Sequence, residues 1–229
     1  MIEWSAAERE IIWLSLTVAG VATLASAVPA VAVAWVLARS RIWGRSWLNV
    51  LVHLPLVVPP VVTGYFLLRA FGRHGWVGEW LERYLGLQFS FRWTGAALAA
   101  GIMSFPLVVR AVRLGIESVD TQVEESAGTL GASPLWVFLT ITLPLAIPGV
   151  LAGLIIGFAK ALGEFGATIT FVSNIPGETQ TLALAIFTQL ERPGGDAAAM
   201  RLAMVSIAIS VLALVASEVL SRSFTRRRS

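Results

Sequence analysis

The stretch that decides the fold reads EESAGTLGASPLWVFLTITLP and runs from Glu124 to Pro144. It starts with a polar run that favours a helix, reaches Gly131, and then passes through Ser133-Pro134 into an apolar run. A glycine after a helical run is a typical C-terminal cap, and a proline just beyond it cannot continue that helix. We therefore expect a short helix that lies roughly parallel to the membrane, with a membrane-crossing helix rising from its end.

The composition around this stretch is that of a membrane protein. Of the 229 residues, 56% are hydrophobic and only 14% are charged, whereas soluble domains carry about 25% charged residues. The mean hydropathy is +0.77. These values predict an integral membrane protein and argue against a soluble fold. The long apolar runs of the chain make the expected class all-α.

Apolar runs of roughly 20 residues are needed to cross a hydrocarbon layer about 30 Å thick. We predict a single transmembrane domain over 1–229 with five spans, near residues 11–38, 46–68, 93–109, 139–162 and 202–220. The polar loop over 110–138 separates the third span from the fourth. Two apolar runs, 165–177 and 181–190, are too short to cross and predict a re-entrant or extracytoplasmic segment. A sixth span formed by 163–190 is the alternative.

The positions of the arginines bear on the orientation of the chain. Placing the C-terminus inside puts nine of the 17 Lys and Arg residues on the cytoplasmic side, a margin too small to decide. The density of charge is more informative, because the 39–47 loop carries three arginines without an acid and the tail carries four, whereas the N-terminus is acidic. We therefore expect the N-terminus outside and the C-terminus in the cytoplasm. The cytoplasmic arginines in this topology are Arg39, Arg41, Arg45, Arg110, Arg113, Arg222, Arg226, Arg227 and Arg228.

The opening stretch resembles a known loop. Glu125-Ser126-Ala127, three residues, Gly131, nine residues and Ile141-Thr142-Leu143-Pro144 are similar to the EAA loop of the membrane subunits of bacterial ABC importers, with Ser126 in place of the usual alanine. In that family the loop is a coupling helix that sits in a groove of the cytoplasmic ATPase. The resemblance implies a type I ABC importer permease fold; an ordinary amphipathic surface helix is the alternative. It makes these residues the candidates for ATPase coupling: Glu124, Glu125, Ser126, Ala127, Leu130, Gly131, Ala132 and Leu135.

Two further stretches narrow the resemblance. HLPLVVPPVVTGY, from His53 to Tyr65, and LGEFGATITFVSNIPGET, from Leu162 to Thr179, are similar to segments of molybdate-type permeases. This implies an importer of molybdate or tungstate in a bacterial inner membrane, with a sulfate or thiosulfate permease as the alternative. It also implies a cytoplasmic ABC ATPase dimer, an extracytoplasmic molybdate-binding protein and a second copy of the chain as partners, besides membrane lipid.

Several residues are candidates for the translocation path. Pro55, Pro59 and Pro60 lack backbone donors and should kink the second span, and Pro59 and Pro60 would then line a path, unless the kink serves only packing. Glu164 would repel an oxyanion, so we expect it to pair with Lys160 one turn away in a structural or gating role, rather than to be a plain interfacial residue. Neutral hydrogen-bond donors can bind an anion weakly enough for it to leave again. The alternative is that these residues only shape and pack the re-entrant segment. The candidate donors are Thr168, Thr170, Ser173 and Asn174.

Other classes of function lack their sequence signatures. The sequence has no G-x-x-x-x-G-K-[ST] phosphate loop, so ATP would be hydrolysed by a partner chain. It has no H-E-x-x-H or G-x-S-x-G motif, only two histidines and no cysteine, so we expect no catalytic residue, cofactor or metal site. An intramembrane enzyme and an ion-coupled carrier are therefore disfavoured, the carrier also because internal repeats are not evident. The basic residues are scattered beside apolar runs, which argues against binding to nucleic acid.

The assignment of the neutral donors leads to a test. Replacing Thr168 and Ser173 with valine removes two hydroxyl donors, so uptake of the anion should fall. The measurement is the rate of uptake in cells, with the amount of protein in the membrane as the control. Unchanged uptake would show that these hydroxyls do not line the path.

Overall fold

The computed structural model describes residues 5–40 and 43–226, and it describes side chains as far as residue 219. Arg41, Arg227 and Arg228, three of the predicted cytoplasmic arginines, lie outside the described residues. The side chains of Arg222 and Arg226 also lie outside them. Every regular element in the described part of the chain is helical, which confirms the predicted all-α fold.

Long helices form the body of the molecule, and shorter helices connect them. The long elements are α1 (Ala6–Arg39), α5 (Trp93–Glu117), α8 (Leu143–Leu162) and α11 (Asp196–Arg226). The shorter ones are α2 (Arg45–Val57), α3 (Pro60–Phe71), α4 (Trp76–Leu85), α6 (Thr121–Thr129), α7 (Pro134–Val137), α9 (Gly166–Val172) and α10 (Leu182–Leu190). A π-helical segment, Phe138–Thr142, joins α7 to α8 without a break. Among the described residues, four helical stretches are long and apolar enough to cross a membrane, or five if α2 and α3 form one span.

The second predicted span differs in shape from the expectation. Instead of one kinked helix over 46–68, the segment consists of α2 and α3, which meet at an angle of 111°. Pro59 and Pro60 stand at the break, and neither has the N–H group that would bond to the preceding turn. Pro55 lies inside α2 and does not end it. The paired prolines therefore produce a broken element, where the sequence predicted only a kink.

The polar loop predicted over 110–138 is largely helical. The third span runs through Arg110 and Arg113 to Glu117, because a helix that leaves the membrane needs no change of structure at the interface. The fourth helical stretch begins at Pro134, and the last begins at Asp196, each earlier than predicted. Only residues 118–120 and 130–133 of the predicted loop lie outside helices.

Helix α5 is at the centre of the bundle and α11 is at its edge. In the most apolar part of α5, 67% of the residues are buried, whereas in α11 only 6% are. Glycines on α8 lie against α5, in the small-residue spacing that lets helix backbones approach closely. A β-carbon on Gly149 would lie 2.6 Å from the α-carbon of Gly115, and one on Gly157 would lie 2.4 Å from a methyl group of Val108. The two backbones are therefore in direct contact.

The two short helices after α8 pack on the bundle without crossing it. Helix α9 has seven residues and α10 has nine, too few to span a hydrocarbon layer. Helix α9 lies against α3, since a β-carbon on Gly64 would be 2.5 Å from the carbonyl oxygen of Ala167. The N-terminus of α10 is attached to α1, where the backbone N–H of Leu182 donates to Ser15 Oγ at 2.7 Å. This arrangement agrees with the re-entrant interpretation.

The contact between α3 and α9 makes a prediction about stability. Replacing Gly64 with alanine should destabilise the protein by about 1–3 kcal/mol, since the added carbon overpacks a backbone contact. Gly20 is the matched control, because nothing lies within 4 Å of a β-carbon there and alanine is favoured over glycine in a helix. Thermal unfolding in detergent measures both variants. Equal midpoints for Gly64→Ala and Gly20→Ala would contradict the close packing.

Candidate coupling surface and translocation path

Capping contacts at both ends determine where α6 begins and ends. The Asp120 carboxylate accepts a hydrogen bond from the backbone N–H of Gln122 at 2.9 Å and caps the N-terminus. At the other end Gly131 has a φ of +88°, in the left-handed region that favours glycine. The Ala132 N–H then bonds back to the Ala127 carbonyl at 3.2 Å. The chain thus reverses sharply at Gly131, as the sequence predicted, and enters α7.

The outer side of this segment combines an apolar projection with a shallow depression. Leu130 is 89% exposed and Leu135 is 62% exposed. Glu125 and Ser126 are also exposed. The depression lies next to Leu130, and its lining consists of Ala127, Leu130, Gly131, Ala132, Ser133, Trp136 and Ile141. Exposed apolar side chains beside small residues are what a protein groove recognises, so the geometry suits the docking of another chain.

The two adjacent glutamates point in different directions. Glu125 is exposed, whereas the Glu124 side chain is only 15% exposed and forms an ion pair with Arg39 at 2.8 Å. The second oxygen of Glu124 accepts a hydrogen bond from the Thr142 hydroxyl. Contact of Glu124 with an ATPase stays a prediction, because within this chain both of its oxygens are engaged.

Arg39 and Thr142 were not predicted from the sequence as partners of Glu124. Arg39 was assigned only to the cytoplasmic charge, and Thr142 was part of the resemblance without a role. The clearest available signal was a charge of each sign near the predicted ends of two helices, which does not identify a pair.

Glu164 joins α8 to α9. It is 3% exposed and accepts a hydrogen bond from Lys160 Nζ at 2.7 Å, so the predicted pairing is confirmed. Its other oxygen accepts from the backbone N–H of Ala167 at 3.1 Å, in the first turn of α9. A carboxylate at that position satisfies an otherwise unpaired N–H group and is favoured by the helix dipole. The buried charge is therefore compensated from both sides.

The candidate donors occupy different environments. Thr168 is 1% exposed and belongs to the packed interior. The Thr170 hydroxyl donates to the Gly166 carbonyl at 2.8 Å, within its own helix. Asn174 Nδ2 donates to Thr188 Oγ1 at 2.7 Å, and Gln180 donates to the Asn174 side-chain oxygen at 3.0 Å. Their role in the path stays a prediction, and most of their donors already have partners in the chain.

Ser173 is the candidate donor best placed for contact with a solute. It is exposed and has a φ of +66°, an unusual value for a residue other than glycine. Thr179 holds this turn, since its hydroxyl donates to the Ser173 carbonyl at 3.2 Å and accepts from the Ile175 N–H at 2.8 Å. The turn after α9 therefore presents Ser173 in a fixed conformation.

Pro59 and Pro60 are exposed at the break between α2 and α3 and lie close to α9. A β-carbon on Gly166 would be 2.8 Å from the Pro60 β-carbon. The structure thus brings together the broken span and the helix that carries the candidate donors.

In the described part of the chain, no group of three or more His, Asp or Glu residues is arranged to hold a metal ion.

Comparison with known proteins identifies related sequences. Residues 30–226 match the family described as "Binding-protein-dependent transport system inner membrane component". The Haemophilus influenzae "Molybdenum transport system permease protein ModB" is 52% identical over 93% of this chain and 93% of its own length. The Escherichia coli K12 protein of the same name is 50% identical over 96% and 94%. The E. coli "Sulfate transport system permease protein CysT" is 36% identical over 93% and 76%.

Solved structures share the fold. A chain of the inward-facing MetNI methionine ABC transporter superposes with a TM-score of 0.69 at 15% identity, covering 96% of this chain and 99% of that chain. A chain of a bacterial ABC transporter that imports alginate gives 0.69 at 19% identity, covering 97% and 80%. The fold is therefore that of type I ABC importer permeases, as the sequence predicted.

The conformation of Gly131 leads to a prediction about coupling. On the predicted coupling role of this segment, Gly131→Val should lower the amount of anion transported per ATP hydrolysed, because a β-branched residue is strained at a φ of +88°. Gly131→Asn is the matched control, since asparagine tolerates this region and nothing lies within 4 Å of a β-carbon at this position. Transport and hydrolysis are measured together in proteoliposomes. If asparagine and valine reduce coupling equally, side-chain bulk and not backbone conformation is decisive.

Proposed function

We propose that this chain, which belongs to the binding-protein-dependent transport system inner membrane component family, is the permease subunit of an ATP-driven importer for molybdate or tungstate. The assignment of the substrate rests on the high sequence identity to the two molybdenum permeases, which extends over nearly the full length of this chain and of each permease. The sulfate permease is clearly more distant. Tungstate is included because its anion is close to molybdate in size and charge.

Energy for the transport would come from a separate ATPase. The sequence has no phosphate loop, and the outer side of α6 and α7 offers Leu130 and the adjacent depression as a docking surface. We infer that an ABC ATPase dimer binds there and that its closure displaces α6. The exposed Glu125 would face the ATPase as well.

The docking surface also determines the orientation we propose. The end of α1 contacts α6 through Arg39, and Arg113 at the end of α5 lies within 3.5 Å of Asn49 near the start of α2. These basic helix ends therefore share one side of the molecule with α6. This side would face the cytoplasm, where ATP is found and where Lys and Arg accumulate. With five spans, the N-terminus would be outside.

A second copy of the chain would complete the path. The exposed face of α2 and α3 is apolar, with Val57 84%, Val61 55% and Phe66 64% exposed. The broken element cannot by itself enclose a water-filled path. Its irregular backbone at the break also has to be covered by protein or to line a cavity, because lipid does not satisfy backbone N–H and C=O groups. We infer that two copies face each other across this region, with an extracytoplasmic binding protein delivering the anion.

A dianion passing this region would meet little fixed negative charge. Glu164 is buried, and Lys160 and the N-terminus of α9 compensate its charge. Ser173 and the backbone around it would offer neutral donors. Weak contacts of this kind let an anion leave as well as enter.

Sulfate is the second candidate substrate. It is also a tetrahedral dianion, and the E. coli sulfate permease is similar over 93% of this chain. Competition discriminates the two, because a molybdate importer should prefer the larger anions.

The experiment is uptake of radiolabelled molybdate by proteoliposomes that contain this chain, its ATPase and its binding protein. We expect ATP-dependent uptake. An excess of unlabelled molybdate or tungstate should abolish it, and the same excess of sulfate should leave it nearly unchanged. Omitting the ATPase is the control and should stop uptake. Competition by sulfate as effective as that by molybdate would assign the chain to the sulfate importers instead.

A further inference from the structure

Helix α6 is not held in place by apolar packing. It has nine residues, and none of them is buried. A helix this short is marginal in water by itself. Its end caps stabilise its local conformation but do not fix its direction relative to the spans. Polar contacts to the rest of the chain must therefore orient it.

Glu124 supplies these contacts. Among the ion pairs between described residues, it forms the one that links α6 to another helix, and its partner Arg39 is 85 residues away in sequence. The guanidinium Nε donates to Glu124 Oε2 at 2.8 Å. Both side chains are largely shielded, 20% and 15% exposed, so water screens this pair less than a surface pair.

Arg39 also binds the end of α5. Its Nη2 donates to the carbonyl oxygens of Ile116 and Val119, each at 2.9 Å. The first of these is a carbonyl in the last turn of α5, and it also accepts a hydrogen bond from the backbone N–H of Val119 at 3.1 Å. One planar guanidinium thus joins the ends of α1 and α5 to α6. Lysine keeps the charge but lacks the fixed fork of donors that this arrangement uses.

Thr142 completes the cluster from the other side. Its hydroxyl donates to Glu124 Oε1, and it is 1% exposed at the end of the π-helical segment that leads into α8. Such segments are rare and frequently mark functional positions in helices. Each oxygen of Glu124 is therefore bound to a different span, α1 through Arg39 and α8 through Thr142.

From these contacts we infer that Arg39 is the positioning residue of the coupling helix. It acts with Glu124 and Thr142 to transmit displacement of α6 to α1, α5 and α8 together. Without it, α6 would still form and could still bind the ATPase, but its movement would no longer be passed to the spans. The inference rests on the proposed function, since it assumes that α6 is the site of ATPase coupling.

The test uses the complete importer in proteoliposomes with Arg39→Lys, Glu124→Gln and Thr142→Val. We expect ATP hydrolysis to persist in Arg39→Lys while anion transported per ATP falls by about tenfold, the factor that a lost hydrogen bond to a charged group accounts for. The double variant Arg39→Lys with Glu124→Gln should be no worse than the more affected single variant, because both remove one interaction.

The matched control is Arg113→Lys. Arg113 forms an ion pair with Glu117 at 2.7 Å within α5, at the same end of the molecule, but it has no bond to α6 among the described contacts. Its ratio of transport to hydrolysis should be that of the unmodified importer. An unchanged ratio in Arg39→Lys, or an equal fall in Arg113→Lys, would overturn the inference.

A second measurement does not depend on the substrate. The chain has no cysteine, so spin labels can be introduced at Thr129→Cys on α6 and Leu114→Cys on α5, both exposed. We expect a narrow distance distribution that broadens with Arg39→Lys and not with Arg113→Lys. A distribution that stays narrow would show that Arg39 does not position α6. If the labels behave as expected but molybdate is not transported, the proposed substrate fails and the positioning role stands.

Discussion

The rest of the structure depends on the direct contact between the backbones of α5 and α8. Gly149, Gly153 and Gly157 repeat every four residues along one face of α8, and Gly115 meets that face from α5. Between helices inside a membrane there is little hydrophobic driving force, so close van der Waals packing holds the pair together. These two helices are also the ones that precede and follow α6 and α7, the segment proposed to bind the ATPase. A displacement of that segment therefore acts on one packed unit.

At its opposite end, α8 is linked through α9 to the elements of the proposed path. Glu164 binds Lys160 on α8 and the first turn of α9, and α9 in turn lies against the broken α3 through Gly64. The carboxylate that the sequence marked as costly is therefore a link between elements. From α6 to α3, the contacts form a continuous series of helix ends and glycine faces. The candidate path lies at the end of this series.

The sequence predicted those features that depend on near neighbours. Apolar run length gave the existence of the spans, Gly131 and Pro134 gave the end of α6, and the spacing of four gave the pairing of Lys160 with Glu164. It could not give the 111° angle, because prolines determine where a helix breaks and packing determines how far it turns. It also could not show that Glu124 faces inward and Glu125 outward, since the partner of Glu124 is 85 residues away.

The π-helical segment before α8 has a consequence for how the length of this chain can vary. A π turn contains one more residue than an α turn, and each residue of an α-helix corresponds to a rotation of about 100°. Loss of a single residue within Phe138–Thr142 would therefore not shorten a loop. It would turn α6 and α7 about the axis of α8 and carry Glu124 away from Arg39. An insertion or deletion at this position rotates α6 and α7 relative to α8. The number of residues here is therefore more tightly constrained than in an ordinary connection between helices.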